Sequence, residues 1–90
     1  MQNRIRFIRS QQKLTLKDVS SLYTAQFGKK LSVPMLRKIE TDAYEPFFEV
    51  YLHLADLFGV TIDYLLGRTD APTEEVRYRT KGLIEPPMQF

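Results

Sequence analysis

The stretch Thr15–Glu40, TLKDVSSLYTAQFGKKLSVPMLRKIE, constrains this chain more than any other, because it carries two helix starts and one helix stop at close spacing. Thr15 stands before Leu16-Lys17-Asp18-Val19. Its hydroxyl suits the N–H groups of a first turn, and an acid three residues on suits that turn's positive dipole end. Ser32 stands before Val33-Pro34-Met35-Leu36 in the same way, and proline is tolerated there because the N–H it lacks has no partner inside a first turn. Gly28 supplies the stop. The spacing predicts a second helix over Leu16–Phe27 and a third from Val33 to about Thr41. Val19, Leu22, Tyr23 and Phe27 recur at three- and four-residue steps and are expected to face inward, as are Leu36 and Ile39, with Leu31 in the connection. The other face of the short third helix shows Val33, Pro34, Arg37, Lys38 and Thr41. A short helix with a thin apolar seam and a basic outer face suits a DNA groove. The same pattern also describes an amphipathic helix with a solvated face.

Charge placement separates these readings better than net charge, which is only +2. Residues 1–38 hold nine Lys or Arg and one acid, Asp18, whereas residues 39–67 hold six acids and no Lys or Arg. A fold of this chain is expected to have a basic side that attracts a polyanion and an acidic side that discourages indiscriminate coating. At 90 residues the chain is long enough for one domain with a modest core. It has no cysteine, hence neither a disulfide framework nor a thiolate metal site. No apolar run approaches the ~20 residues that cross a bilayer. The basic start, MQNRIRFIRS, is not followed by the apolar core of a secretory signal, so the expected location is the cytoplasm.

Taken in order, residues 3–13 are predicted to form the first helix, with Asn3 as cap, Ile5 and Ile8 inward, and Arg4, Arg6 and Lys13 in solvent. Arg9, at the edge of the apolar seam, is a candidate for a partly buried ion pair with Glu40; the other reading is a surface arginine on a phosphate. After the turn-rich loop Thr41–Pro46 a fourth helix is expected from about Phe47 to Phe58, with Phe48, Tyr51, Leu52, Ala55 and Phe58 as its apolar stripe, Leu54 beside it, and Gly59 as stop. Thr61 caps a short fifth helix, Ile62–Leu66. Residues 1–68 are therefore expected to be an all-α domain of five helices. The tail, residues 69–90, differs in character. Val76-Arg77-Tyr78-Arg79-Thr80 alternates with the period of a strand, and a lone strand needs a partner, so the tail reads either as a dimerisation arm or as a disordered segment. His53 is the chain's one histidine and reads as a packed or surface residue rather than a metal ligand.

Four stretches together carry a family resemblance: Arg4–Arg9, Leu14–Val19, Leu36–Glu40, and Leu54–Gly67, in which Leu54-Ala55-Asp56-Leu57-Phe58-Gly59 leads into Val60-Thr61-Ile62-Asp63-Tyr64-Leu65-Leu66-Gly67. Over residues 4–67 the chain resembles the phage-repressor and Cro-like helix-turn-helix DNA-binding regulators. That resemblance implies a five-helix lambda-repressor-like fold, with residues 33–40 as the recognition helix. It implies base contacts from Val33, Pro34, Arg37 and Lys38, and a structural pair between Arg9 and Glu40. Two departures matter. Leu16 stands where many members have a glutamine that bonds a phosphate or base, leaving Lys17 as its replacement. The segment 23–30 also lengthens the second helix and its connection, as in the POU-specific domain, and brings Lys29 and Lys30 toward the DNA backbone.

The function expected from all this is sequence-specific binding of double-stranded DNA by a transcriptional regulator, a repressor acting as a homodimer on a palindromic operator in the nucleoid. Lys17, Lys29, Lys30 and Thr41 are the expected phosphate contacts. Val33 and Pro34 offer apolar contact to thymine methyls, and Arg37 or Lys38 a guanine. The rival is a protein–protein interaction module on the same scaffold, which the apolar run Val33-Pro34-Met35 keeps in play. Nothing suggests an enzyme, a cofactor, a small-molecule ligand or a metal: there is no Gly-rich phosphate loop, ligand cluster or nucleophile–His–acid set.

Overall fold

In the computed structural model, residues 3–72 are described; of the expected arm, residues 73–90, with the strand-like segment 76–80, lie outside them. Those residues form five helices and no strand: α1 (Ile5–Gln11), α2 (Leu16–Phe27), α3 (Val33–Glu40), α4 (Phe48–Phe58) and α5 (Ile62–Leu65). The architecture is all-α.

Local chemistry sets the helix boundaries. At the start of α2, Thr15 Oγ1 accepts from the Asp18 N–H at 3.0 Å, and Asp18 Oδ2 accepts from the Thr15 N–H at 2.9 Å. This reciprocal pair satisfies two donors that the helix cannot. α2 ends at Gly28, whose φ of 70° is the left-handed conformation a side chain resists. Ser32 Oγ accepts from the Met35 N–H at 3.3 Å to start α3, with Pro34 in the first turn. Thr61 Oγ1 accepts from the Tyr64 N–H at 3.1 Å to start α5. α1 is shorter than its pattern predicts. Asn3 does act at its start, accepting from the Ile5 N–H at 3.1 Å, but Arg4 is the first-turn boundary.

Ile5, Ile8, Val19, Tyr23, Leu31, Leu36, Ile39, Tyr51, Leu54, Ala55, Phe58, Leu65 and Leu66 make one buried core. Two expectations about it need correcting. Leu22 is 43% exposed rather than inward. On α4, Leu54 is fully buried while Phe48 and Leu52 are exposed. In both helices the core contacts a narrower arc than the hydrophobic residues occupy, so the partner's position, not hydrophobicity, selects which of them go in. α2 packs on both α3 and α4, and α4 packs on α5.

Side-chain to backbone hydrogen bonds tie the ends of these helices together. Gln12 Nε2 donates to the Phe58 carbonyl at 2.9 Å, closing the C-terminus of α4 against the end of α1. Asn3 Nδ2 donates to the Ile39 carbonyl at 2.9 Å and to Asp42 at 3.0 Å. Arg4, expected in solvent, is instead a clamp. It donates to the Tyr64 and Thr69 carbonyls at 2.7 Å each, pairs with Asp70 at 2.8 Å, and lies 4.4 Å over the Tyr64 ring. It thereby fastens the segment after α5 to the start of α1.

Candidate nucleic-acid interface

The outer surface of α3 follows from its inner one. Leu36 and Ile39 are fully buried, which turns Pro34, Arg37, Lys38 and Thr41 to solvent and leaves Val33 half-buried at the edge. At about 100° of rotation per residue these five side chains fall within an arc of roughly 140°. Residues 33, 34, 37, 38 and 41 therefore share one surface, as the spacing predicts. The helix is held from both ends. Ser20 Oγ donates to the Leu31 carbonyl at 2.7 Å, pinning the connection to α2. At the other end Arg9 Nε meets Glu40 Oε2 at 2.5 Å, and Arg9 Nη1 donates to the Leu14 carbonyl at 2.9 Å. Glu40 exposes 4% of its side chain and Arg9 16%, so this is the partly buried pair rather than a free surface arginine.

The cations sort into two groups. Arg4, Arg9, Lys29 and Arg68 each have an acidic partner. Arg6, Lys13, Lys17, Lys30, Arg37 and Lys38 have none among the described residues, although each is exposed. Lys17 stands in the first turn of α2. Lys30 shares a shallow depression of about 510 Å³ with Ser20, Ser21, Thr24 and Ser32, beside the start of α3.

Two of the expected phosphate contacts come with conditions. Lys29 Nζ lies 3.3 Å from Glu49 on α4, with both side chains 58% exposed. An exposed pair of this kind contributes about 0–1 kcal/mol, so a phosphate can displace it at little cost. Thr41 Oγ1 donates to its own helix, to the Arg37 carbonyl at 3.0 Å or the Lys38 carbonyl at 3.3 Å. Its hydroxyl must rotate before it can donate to a phosphate oxygen.

His53 is a packed residue. Its Nδ1 lies 2.8 Å from the Tyr23 hydroxyl, its ring stacks on Phe27 with centroids 4.1 Å apart, and its Nε2 is 3.8 Å from Glu49. Burial raises the Tyr23 pKa above the ordinary tyrosine value, and the nearby Glu49 raises it further. The cluster joins α2 to α4 and so supports the C-terminal half of α2. Its aromatic members were legible in the sequence; their meeting with His53 was not, because 26 to 30 residues of chain separate them from it.

Among the described residues, no group of three or more His, Cys, Asp or Glu is arranged to hold a metal ion. None of the described helices is long and apolar enough to cross a membrane. The chain matches no family model, and no curated protein and no solved structure shows significant similarity to it.

Proposed function

We propose that the chain is a transcriptional regulator that binds a specific duplex DNA sequence through α3, on a lambda-repressor-like helix-turn-helix scaffold formed by α2 and α3. The observation that carries this reading is the outer surface of α3: two cations with no acidic partner among the described residues, Arg37 and Lys38, share one arc with Val33 and Pro34, while the opposite face is locked into the core. The surrounding charges support it. Lys17, in the first turn of α2, and Lys30, beside the start of α3, have no acidic partner among the described residues, and all six acids of residues 39–67 lie in the later part of the sequence.

In this reading Lys17, Lys29, Lys30 and Thr41 hold phosphates and set register without naming a base. Val33 and Pro34, which have no side-chain hydrogen bond to offer, press on thymine methyl groups. Arg37 or Lys38 donates to guanine O6 and N7. One such helix reads only a few base pairs, too few for a useful specificity ratio in a genome. Two copies on a palindrome with half-sites about 34 Å apart, or a multiple of that, remove the shortfall. The regulator is then a homodimeric repressor whose place in the cell is on the nucleoid.

Selection of binding sites from random duplexes tests this directly. The expected outcome is an enriched, two-fold symmetric motif that survives heparin competition at moderate salt. Recovery of no motif, with weak binding abolished by heparin, would favour the protein-interaction module.

A further inference from the structure

On α4, His53 and Asp56 meet α2, Glu49 meets Lys29 just beyond it, and Tyr51, Leu54, Ala55 and Phe58 meet the core. Phe48 and Leu52, one turn apart, occupy the remaining flank and are 51% and 45% exposed. Tyr44, 44% exposed, lies with Phe48 along a groove of about 300 Å³ floored by Tyr51 and Leu66. This makes a continuous apolar surface that no described residue covers, of the kind that marks a docking site.

Its electrostatics narrow the occupant. Asp42 and Glu45 line the groove, and the one cation lining it among the described residues, Arg68, is already paired with Asp63 at 3.3 Å. The Tyr51 hydroxyl registers the resulting field: its pKa is raised by burial first, and then by Asp42 and Glu45. A second copy of the same face would set these carboxylates against their equivalents, and like charges brought together are unfavourable. A basic and apolar segment is the complement. The chain contains one: residues 76–84, Val-Arg-Tyr-Arg-Thr-Lys-Gly-Leu-Ile, with three cations, no acid and four large apolar side chains.

The fold also delivers that segment within reach. Arg4 holds Thr69 and Asp70, and the Pro72 carbonyl accepts from the Thr61 N–H at 2.9 Å, placing residue 72 just beyond the C-terminal end of α4. Phe48 is one helix length away, roughly 16 Å at 1.5 Å per residue. Residues 73–81, extended, reach about 30 Å.

We propose that the acidic, aromatic surface formed by Tyr44, Phe48 and Leu52 docks the chain's own basic segment, residues 76–84. This stands apart from the DNA-binding reading and does not depend on it.

The chain has no cysteine, so Thr80→Cys carries a single nitroxide label on the 90-residue chain. In a ¹⁵N-labelled sample the amide signals of Tyr44, Phe48 and Leu52 are expected to lose intensity, and to recover when the nitroxide is reduced. Mixing nitroxide-bearing ¹⁴N chains with unmodified ¹⁵N chains is expected to leave those signals intact. Phe48→Ala with Leu52→Ala alters only exposed side chains and is expected to abolish the loss at Tyr44 while leaving the far-UV circular dichroism unchanged. Full signals at this surface, losses confined to α2 and α3, losses that persist in the double variant, or losses in the mixed sample, which would place a second copy's segment in the groove, each overturn the proposal.

Discussion

Glu40 exposes 4% of its side chain and Arg9 16%, so their contact joins α1 to the end of α3 away from most of the solvent. Removing one partner leaves the other charge poorly solvated, a loss of about 3–5 kcal/mol for a buried pair. Arg9→Met is therefore expected to lower the urea midpoint sharply, and Arg9→Met with Glu40→Leu to recover a large part of the loss. A double variant no more stable than the single one would show that the pair's attraction, rather than the stranded charge, is what matters. Asp18 makes a different demand. Its hydrogen bonds from the Thr15 backbone, then from the Thr15 side chain, hold its pKa below the ordinary value, with Lys17 helping and slight desolvation opposing. A carboxyl whose folded pKa is depressed contributes stability above its unfolded value and loses it as pH falls through the folded one. The stability difference between the parent chain and Asp18→Asn is thus expected to be full near neutrality and to vanish in acid, below the usual carboxylate range. A difference that is flat from pH 7 to pH 2 would remove the capping role. Neither residue needs the tertiary structure to be singled out: Arg9 lies beside an apolar seam, and Asp18 lies three residues past a capping threonine. Arg4 does need it, because its carbonyl partners at positions 64 and 69 leave no side-chain pattern to read.

At the scale of the helix, α3 carries the proposal and α2 positions it. Lys38→Ala is expected to weaken a cognate site by about 1–3 kcal/mol while relaxing one base position. An equal loss on cognate and random duplexes would move Lys38 to the phosphates. Lys29→Ala is expected to weaken binding to all sequences alike and to reduce the salt slope by about one. Because Lys29 is paired with Glu49 in the free protein, Glu49→Gln is expected to strengthen that binding slightly; an unchanged affinity would mean that Lys29 never leaves α4. The boundaries of α2 and α3 were legible because each is written in adjacent residues, Thr15 with Asp18, Gly28, and Ser32 with Pro34. The buried faces were less so. Leu22 satisfies the helical period and still faces solvent, and Leu54 lies outside the expected stripe and is fully buried.

For the whole molecule the central wager is assembly. Sedimentation of the chain on its selected operator is expected to show two copies per duplex, and a monomer on operator DNA would refute the palindromic arrangement. The core that supports this is small, so it tolerates little loss. Leu54→Ala, at a fully buried position, is expected to cost about 2–5 kcal/mol in denaturant unfolding, a large share of the stability of a domain this size.

By itself the sequence determined the all-α class, the order of five helices, the segregation of charge and the presence of a cationic short helix. These depend on signals that act over a few residues: caps, glycine stops, helical period and local charge. The tertiary structure alone decided which cations keep partners among the described residues, that Arg4 clamps the segment after α5, that His53 stacks on Phe27, and that no described residue covers Phe48 and Leu52. Apart from the Arg68–Asp63 pair, each of those depends on side chains brought together from tens of residues apart, and the angle at which one helix crosses another is set by packing that no local pattern encodes.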